Sequence, residues 1–367
     1  MKLTKGVEMK NKVVISIICV VVVIGASIGL YLGLRNTNDK PVNSVTITDM
    51  VGDTVTVKKN ASKVAVLARS AVDMLVAFGL GEKVDGVYYT VLNNEWAKTI
   101  YPHSENYFAY DYDTTVETYL ARGVDLVIAP EKYIADNLRE HGITAFTVSQ
   151  YGTPNYDDSV FAFAEIIKKI WEGNEIKTKI NEWENEFTAI KDEIILKLAT
   201  IQTTQSLYYV RGDKNKGIRY TENSEKTIQN TIAKYLKLNY VSKDFTSSEP
   251  TAEVLLSTNP DYIFVGGAFQ NTIINNIRTD SIWSGLSAVT NDKIFNIGVG
   301  FVMFEQNGVE LSIYLADMAN KIYPDKFNFD ITQMLKDSMQ KYFGKTISDN
   351  DATNMLNGKK ANGENLA

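Results

Sequence analysis

The stretch Glu175–Ala199, EIKTKINEWENEFTAIKDEIILKLA, decides how the rest of the chain is interpreted. Its apolar residues recur every three or four positions, which places them on one stripe of an α-helix, with Lys, Glu and Asp on the other faces. These apolar residues are Ile176, Ile180, Trp183, Phe187, Ile190, Ile194 and Leu198. Because the stretch contains no Pro or Gly, it predicts one straight helix of about 25 residues, or roughly 37 Å, which is well beyond the usual three or four turns.

Strand and helix patterns alternate on both sides of this predicted helix. A long helix can instead belong to a coiled coil or bundle, but those continue as heptads, which the flanks lack. Strands that alternate with helices are typical of a parallel sheet with both faces covered. We therefore predict an α/β fold of two similar lobes with central, mostly parallel sheets, joined by one long rigid α-helix.

The chain divides into six predicted segments. These are an N-terminal membrane anchor or signal (1–35), a linker (36–44), an N-terminal ligand-binding lobe (45–156), helices that include the interlobe helix (157–199), a C-terminal ligand-binding lobe (200–345) and a polar flexible tail (346–367). The first lobe begins with VTITDMVGDTVTV, whose alternation around Gly52 and Asp53 predicts a β-hairpin. The tail is rich in Asn and Gly, which is typical of loosely ordered segments.

The N-terminus predicts a membrane helix. Lys2, Lys5, Lys10 and Lys12 precede an uncharged run, Val13–Leu34, of about 22 residues, which is long enough to cross a ~30 Å hydrocarbon core. Basic residues before the span keep the N-terminus inside and place the bulk of the chain outside. A cleaved secretory signal is the alternative, but its apolar core usually has about 7–15 residues. We predict an uncleaved anchor.

The single cysteine, Cys19, lies inside this run and leaves no partner for an intramolecular disulfide. A bacterial lipoprotein signal needs a small residue directly before its cysteine. Here Ser16, Ile17 and Ile18 come before Cys19, so the sequence does not predict lipidation.

No motif in the chain indicates covalent chemistry. Beyond the leader, the sequence contains no G-x-S-x-G, no Walker loop, no H-E-x-x-H and no G-x-G-x-x-G after a strand. His103 and His141 are the only histidines, and with Cys19 in the leader they cannot form a Cys/His metal site. The net charge is -6, and no basic cluster is interleaved with aromatic residues beyond the leader, so we predict no nucleic-acid binding.

Two segments repeat each other without gaps: VETYLARGVDLVIA (Val116–Ala129) and AEVLLSTNPDYIFV (Ala252–Val265). The identity is low, but both segments read as a helix followed by an apolar strand. The matched pairs are Glu117 with Glu253, Leu120 with Leu256, and Asp125 with Asp261. This repeat predicts that the two lobes are built alike.

Taken together, these features resemble the substrate-binding proteins of ABC importers, and within them the group that serves ferric siderophores, haem and cobalamin. The motifs that carry the resemblance are ITDMVGDTVTV, KVAVLARSAVDMLVAFGLGEKVDGV, VETYLARGVDLVIA, LYYVRG, PTAEVLLSTNPDYIFV and ELSIYLADMANKIYP, which together cover roughly residues 45–327. Two departures are visible. Val124 stands where the family usually has Pro, and the family's lipobox is missing.

The resemblance implies a receptor without enzymatic activity, intrinsic cofactor or bound metal of its own. It would work as a monomer at the extracytoplasmic face of the cell membrane, held there by the N-terminal segment. It would capture a metal chelate, of the ferric siderophore type, between its lobes and deliver it to a permease and its ATPase. A rigid connecting helix then predicts only a small rotation of the lobes on binding.

The resemblance also implies that Glu117 and Glu253, one on each lobe, dock into Arg pockets of the permease. Thr114-x-x-Glu117 fits a capping box as well, and a cap and a dock are compatible. Glu253 has Pro250 three residues earlier and therefore lacks that second explanation.

The ligand is expected between the lobes, where the loops after the strands converge. Guanidinium groups suit carboxylate or catecholate oxygens, and aromatic rings suit a broad planar chelate. The candidate ligand-binding residues are Arg69, Ser70, Tyr88, Tyr89, Tyr107, Tyr110, Tyr112 and Lys132 in the first lobe and Tyr209, Arg211, Phe269, Phe301 and Phe304 in the second.

Other ligands and one other class of protein stay open. Haem, with a Tyr as axial ligand, is the next candidate, and cobalamin and oxyanions such as molybdate are carried by relatives of this group. From a different class, the chain could be a membrane-anchored surface enzyme. A close pair of carboxylates lining the cleft in place of Arg and Tyr would favour the enzyme.

Overall fold

The predicted long helix is present in the computed structural model as a single α-helix, Asn174–Lys197, of 24 residues. The structure describes residues 43–149, 156–202 and 205–367. The predicted membrane helix and most of the predicted linker lie outside these residues. No helix within the described ranges is both long and apolar enough to cross a bilayer.

The first lobe is built on a five-stranded parallel sheet, in the order β5-β4-β3-β6-β7. A two-stranded sheet, β1-β2, precedes it and is the hairpin predicted around Gly52. The strands are β1 Ser44–Thr48, β2 Thr54–Lys58, β3 Val64–Val66, β4 Val84–Tyr88, β5 Phe108–Tyr110, β6 Leu126–Ala129 and β7 Ala145–Thr147. The helices are α1 Arg69–Ala77, α2 Tyr89–Leu92, α3 Glu95–Ile100, α4 Val116–Arg122, α5 Lys132–Glu140 and α6 Tyr156–Ile170, with 3₁₀ turns at Gly81–Lys83 and Pro102–Asn106.

The second lobe is built on a four-stranded parallel sheet, in the order β11-β10-β8-β9, and follows the long helix, α7. Its strands are β8 Ser206–Val210, β9 Asn239–Tyr240, β10 Tyr262–Val265 and β11 Ile294–Asn296. Its helices are α8 Ile228–Tyr235, α9 Ala252–Thr258, α10 Gln270–Thr279, α11 Ser287–Thr290, α12 Leu311–Ile322, α13 Ile331–Phe343 and α14 Asp349–Leu356, with 3₁₀ turns at Gly217–Arg219 and Val241–Asp244. Two α/β lobes with parallel sheets are therefore observed, as predicted.

The internal repeat is structural. Its two copies give α4-β6 and α9-β10, and the element bounds match residue for residue. The aligned aspartates, Asp125 and Asp261, also make equivalent hydrogen bonds. Asp125 accepts hydrogen bonds from the backbone of Ser62 and Lys63 just before β3, and Asp261 accepts them from Ser206 at the start of β8. In each lobe this aspartate ties the start of one strand to that of its neighbour.

Helix α7 is not a free-standing rod, because its apolar stripe is buried in the protein. Ile180, Trp183, Phe187 and Ile194 are all buried, and they belong to one apolar core that contains residues from both sheets. Residues 45–367 accordingly form one compact unit. The lobes share this core along α7, and each lobe also has a separate apolar cluster of its own.

The C-terminal segment, which the sequence predicts as a flexible tail, is folded. Ser348 and Asp351 form a capping box at the start of α14, and Met355 on that helix is fully buried. The indole of Trp96 donates to the carbonyl of Lys359 at 2.7 Å. The prediction of a flexible tail was wrong because a short amphipathic helix carries few apolar residues, and its polar majority dominates the composition.

Candidate functional site

Two adjoining cavities, of about 240 and 220 Å³, lie where the carboxyl ends of the two sheets face each other. They share Arg69, which follows β3, Arg211, which follows β8, and Gln306, which follows β11. The larger cavity is also lined by Thr90, Val91, Asn94, Tyr209, Glu222, Ile228, Gly267, Ala268, Phe301, Val302, Met303, Glu305 and Asn307. The smaller is also lined by Leu67, Ala68, Ser70, Tyr112, Pro130, Glu131 and Val148.

Glycines at the ends of β8 and β10 let the backbone and a carboxyl group come close together at the floor of the larger cavity. Gly212 has φ +72°, and a Cβ there would lie 1.8 Å from the carbonyl oxygen of Gly266. A Cβ on Gly266 would lie 2.3 Å from Oε1 of Glu305. Position 212 therefore requires glycine, and a side chain at position 266 would displace the Glu305 carboxyl group. The close approach lets the amide of Gly267 donate to Glu305 Oε1 at 3.1 Å.

Two buried carboxyl groups balance the arginines in the larger cavity. Glu222 lies 3.9 Å from the guanidinium of Arg211, and burial raises its pKa to about 6 although Arg211 and Arg69 oppose the rise. Burial likewise raises the pKa of Glu305 to about 7, against the hydrogen bond from Gly267. The cavity therefore carries both signs of charge near neutral pH.

A third acidic residue, Glu131, lines the smaller cavity. Burial raises the pKa of Glu131, while Arg211 opposes that shift. Arg211 thus interacts electrostatically with a carboxyl group of each lobe, Glu131 of the first and Glu222 of the second.

A cluster of tyrosines lies beside the second cavity, in the first lobe. Tyr88 stacks on Tyr112 with ring centroids 4.3 Å apart and contacts Tyr89 at 4.8 Å. Tyr89 and Tyr112 are each 41% exposed, so their rings are accessible from solvent. Such rings suit an aromatic or planar guest.

The predicted site residues fall into two groups. Those that line the cavities are Arg69, Ser70, Tyr112, Tyr209, Arg211 and Phe301, and Tyr88 and Tyr89 adjoin them through Tyr112. The structure does not bring Tyr107, Tyr110, Lys132, Phe269 and Phe304 to the cavity walls.

These five residues have other surroundings. Tyr107 donates to the carbonyl of Gly81 at 2.9 Å, and Tyr110 donates to Asp85 at 2.6 Å, both from buried positions. Lys132 pairs with Asp53 and Asp136 at the surface, Phe269 packs on the interior of the second lobe, and Phe304 packs on Gly298.

Several polar residues that line the larger cavity were not predicted from the sequence: Thr90, Asn94, Glu222, Glu305, Gln306 and Asn307. The last three form a polar run directly after the apolar stretch GFVMF. This interruption of an apolar pattern was the available signal. Asn94 also links the lobes, since its side-chain amide donates to the carbonyls of Gly300 and Phe301 at 3.0 Å each.

Carboxyl groups in the cleft are the pattern that would favour an enzyme, but they stand beside arginines and tyrosines rather than in their place. Glu222 is matched with Arg211, and Glu305 is 3.4 Å from the hydroxyl of Tyr209. In the described part of the chain, no group of three or more His, Cys, Asp or Glu side chains is placed to hold a metal ion.

The two aligned glutamates are exposed on the second residues of their helices, Glu117 on α4 and Glu253 on α9. The predicted capping box at Thr114 is absent, because α4 begins after Thr115 and the hydroxyl of Thr114 accepts from the amide of Asp111 instead. On α9, the Glu253 carboxyl accepts hydrogen bonds from its own backbone amide and from Thr251, which lower its pKa. The local explanation predicted for Glu117 therefore applies to Glu253 instead, while both side chains remain exposed.

Comparison with known proteins identifies the family to which this architecture belongs. Residues 64–298 match the family model described as periplasmic binding protein. The chain is 24% identical over 294 residues to an uncharacterised ABC transporter substrate-binding lipoprotein, YvrC of Bacillus subtilis, covering 77% of this chain and 87% of the relative.

Two solved structures are similar in fold. Molybdate-bound MolA of Haemophilus influenzae gives a TM-score of 0.70 at 17% identity, over 83% of this chain and 99% of MolA. CeuE of Helicobacter pylori in a nickel–histidine complex gives a TM-score of 0.67 at 14% identity, over 85% of this chain and 99% of CeuE.

The family match covers both sheets and every strand that ends at the cavities. Proteins of this family are solute receptors that serve ABC importers and catalyse no reaction. The chain therefore belongs to the periplasmic binding protein family and is the substrate-binding protein of an ABC importer.

Proposed function

We propose that the solute is a ferric-siderophore-type iron complex, held between the lobes and delivered to the permease. The observation that carries the proposal is that Arg69 from the first lobe and Arg211 from the second line both cavities. Guanidinium groups bind anionic oxygens, often bidentately, and an iron chelate presents such oxygens on its catecholate, hydroxamate or carboxylate groups. Tyr112, Tyr209 and Phe301 supply aromatic surface for the organic part of the chelate.

A small oxyanion is the second candidate solute, and the size of the cavities favours it. Each is below the roughly 300–1,000 Å³ of usual ligand pockets. MolA, which shares the fold, is bound to molybdate in its structure. A ferric chelate would have to occupy both cavities or part the lobes slightly, whereas molybdate would fit one of them. Haem and cobalamin are larger and face the same constraint.

Optical titration distinguishes these solutes. Purified protein would be titrated with a ferric tris-catecholate, ferrioxamine B, haemin, cyanocobalamin and molybdate, and tyrosine and tryptophan fluorescence would be recorded with the visible spectrum. We expect a ferric chelate to quench the fluorescence and keep its charge-transfer band. A Soret shift with haemin alone, or binding of molybdate alone, would contradict the proposal.

Removing either cleft arginine is expected to weaken binding of the ferric chelate about tenfold or more, because a hydrogen bond to a charged group contributes about 1.5–3 kcal/mol. The variants are Arg69→Ala and Arg211→Ala, measured in the same titration. Arg278→Ala is the matched control, since Arg278 pairs with Asp292 outside both cavities. Equal affinity of all three variants would place the ligand elsewhere.

We also propose that Glu117 and Glu253 dock the receptor on its permease. Exposed like charges at equivalent positions of the two lobes suit a partner with one basic pocket for each lobe. In vesicles that contain the permease and ATPase, Glu117→Gln and Glu253→Gln are each expected to lower solute-dependent ATP hydrolysis about fivefold without changing solute affinity. Glu249→Gln, exposed on the second lobe and paired with Lys216, is the control. Unchanged ATP hydrolysis in both docking variants would contradict the proposal.

Membrane attachment through an uncleaved Val13–Leu34 helix completes the proposed function. The support is the length of this uncharged run and the lysines before it. Intact mass spectrometry of protein from membranes tests it: the full chain mass is expected, and a mass that lacks the leader or carries lipid on Cys19 would contradict it.

A further inference from the structure

Three consecutive side chains in the larger cavity carry hydrogen-bond acceptors that are not used within the described residues. Glu305 Oε2, Gln306 Oε1 and Asn307 Oδ1 are buried, and none receives a hydrogen bond there. All three residues line the larger cavity, and Glu305 is only 6% exposed. A buried acceptor without a donor is destabilising, so three in a row call for an external donor.

The surrounding structure holds these acceptors in place. Oε1 of Glu305 is fixed by the Gly267 amide at 3.1 Å and by the Tyr209 hydroxyl at 3.4 Å, which leaves Oε2 as the unused atom. Asn307 has φ +53°, a left-handed conformation that Asn tolerates better than most residues. Its amide nitrogen donates to the carbonyl of Ser159 at 3.4 Å, which leaves Oδ1 unused. The side chains of Glu305 and Asn307 are thus oriented before any ligand arrives.

Charge divides the cavity into two chemically different parts. Arg69 and Arg211 are donors and suit the anionic oxygens of a chelate. Glu222 already lies beside Arg211, so it is less able to serve a ligand. The unused atoms of residues 305–307 are all acceptors, although Gln306 and Asn307 also carry amide N–H groups. An oxyanion without N–H or O–H groups would satisfy the arginines and leave these three acceptor atoms unpaired.

We propose that Glu305, Gln306 and Asn307 form a subsite for an ammonium group of the transported chelate. The inference rests on the proposed function and narrows its solute class. The receptor would select a ferric chelate that carries a cationic arm over one that is neutral or wholly anionic at that arm.

The titration of Glu305 sets the conditions of the test. Its pKa is raised to about 7 by burial, so its carboxyl group is ionised above that pH. An ammonium group remains protonated to about pH 10, as a lysine side chain does. Measurements at about pH 8 therefore pair a carboxylate with an ammonium ion.

Two probes that differ only at this arm make the test. Ferrioxamine B carries one free ammonium group, and its N-acetylated form carries a neutral amide in its place. We expect the protein to bind ferrioxamine B about tenfold more tightly than the acetylated form, the effect of one charge-assisted hydrogen bond. Glu305→Gln should reduce this preference to about threefold or less, while Glu249→Gln should leave it unchanged.

A second variant moves the preference in the opposite direction. Asn307→Asp adds a carboxylate at a position whose backbone Asp also tolerates. It gives up the 3.4 Å hydrogen bond to the Ser159 carbonyl, and the preference for the ammonium form should rise about threefold or more. This variant gives a readout even if Glu305→Gln folds poorly. Circular dichroism of each variant confirms the fold.

The outcomes separate the subsite from the proposed function. Equal binding of the two probes by the unaltered protein, or an unchanged preference in both variants, would overturn the subsite and leave an iron-chelate receptor. Binding of another ferric chelate but of neither probe would overturn it as well. If no ferric chelate binds, the proposed function fails and the subsite falls with it.

Discussion

Replacement of Trp183 by Ala is expected to lower the free energy of unfolding by about 3–5 kcal/mol, the usual cost of deleting a buried aromatic side chain. Trp183 is fully buried at the middle of α7. Its ring contacts Phe78 of the first lobe at 6.0 Å and Phe161 of α6 at 5.6 Å. Its indole also donates to the carbonyl of Val309 at 3.1 Å, just before α12, and the variant would leave that carbonyl without its donor.

Urea unfolding followed by circular dichroism measures this effect, and two further variants calibrate it. Trp183→Phe keeps most of the apolar contact and should cost clearly less than Trp183→Ala. Leu196→Ala lies on the same helix but at a side chain that is 76% exposed, so it should change stability by about 0.5 kcal/mol or less. A loss below about 1.5 kcal/mol for Trp183→Ala would show that α7 contributes little to the shared core.

The backbone of Val309 is hydrogen-bonded both to α7 and to the first lobe. Its carbonyl accepts from Trp183 of α7, and its amide donates to Asp73 of α1 at 2.7 Å. A single peptide segment of the second lobe is therefore bound to the connecting helix and to the first lobe at once. Rotation of the lobes would have to break or stretch both hydrogen bonds.

The folded C-terminus adds another link between the lobes. The side chain of Asn296, at the end of β11, donates to the carbonyl of Leu356 at 2.6 Å, and three residues later the carbonyl of Lys359 accepts from Trp96 of the first lobe. The prediction of a small rotation on binding therefore has three supports in place of the helix alone. Structures with and without ligand are its test.

The elements that could be predicted from sequence are those whose signal is local and periodic. Helix α7 was recognisable because apolar residues recur every three or four positions from Ile176 to Leu198, without Pro or Gly. The repeat α4-β6 and α9-β10 was recognisable because the same pattern occurs twice. The folded C-terminus was missed because α14 gains its stability from contacts with distant residues such as Trp96, which composition does not record.

The site was predicted in part, and the errors have a common cause. The arginines after β3 and β8 could be placed, because the carboxyl ends of parallel strands meet at one edge. Tyr107 and Tyr110 lie near the same edge, yet their hydroxyls turn inward to Gly81 and Asp85. Glu305 was missed because its position depends on the glycines that end β8 and β10, which are about 40 residues or more away in sequence. Side-chain direction in a loop is set by such tertiary contacts, not by local pattern.

The buried carboxyl pair Asp73 and Glu310 joins the lobes at the same place as Val309. Asp73 is on α1, and Glu310 directly precedes α12. Beyond the bond from Val309 to Asp73, the oxygens of both groups find no donor among the described residues, so they can hydrogen-bond each other only if one of them keeps its proton. Burial is the main cause that raises the pKa of each group, and the negative charge of Asp73 raises that of Glu310 further.

These raised pKa values predict a loss of stability as the pH rises. In the unfolded chain both groups release their protons near pH 4, whereas the native state retains them to higher pH. Their contribution to stability is therefore complete below about pH 4 and is lost as the pH rises through the native pKa values. Asp73→Asn should remove much of this dependence, because its Oδ1 still accepts from Val309 and its Nδ2 donates to Glu310 without a shared proton.

The expected result is a difference that grows with pH. Between about pH 4 and pH 8, the stability of Asp73→Asn relative to the unaltered protein should rise by roughly 3 kcal/mol, since each unit of pKa shift corresponds to about 1.4 kcal/mol. Urea unfolding at several pH values measures it, and Glu222 and Glu305, which titrate in both proteins, cancel in the comparison. Asp192→Asn, exposed on α7, is the control and should follow the unaltered protein at every pH. A constant difference across this range would mean that Asp73 and Glu310 share no proton, and the lobes would then be joined here by Val309 alone.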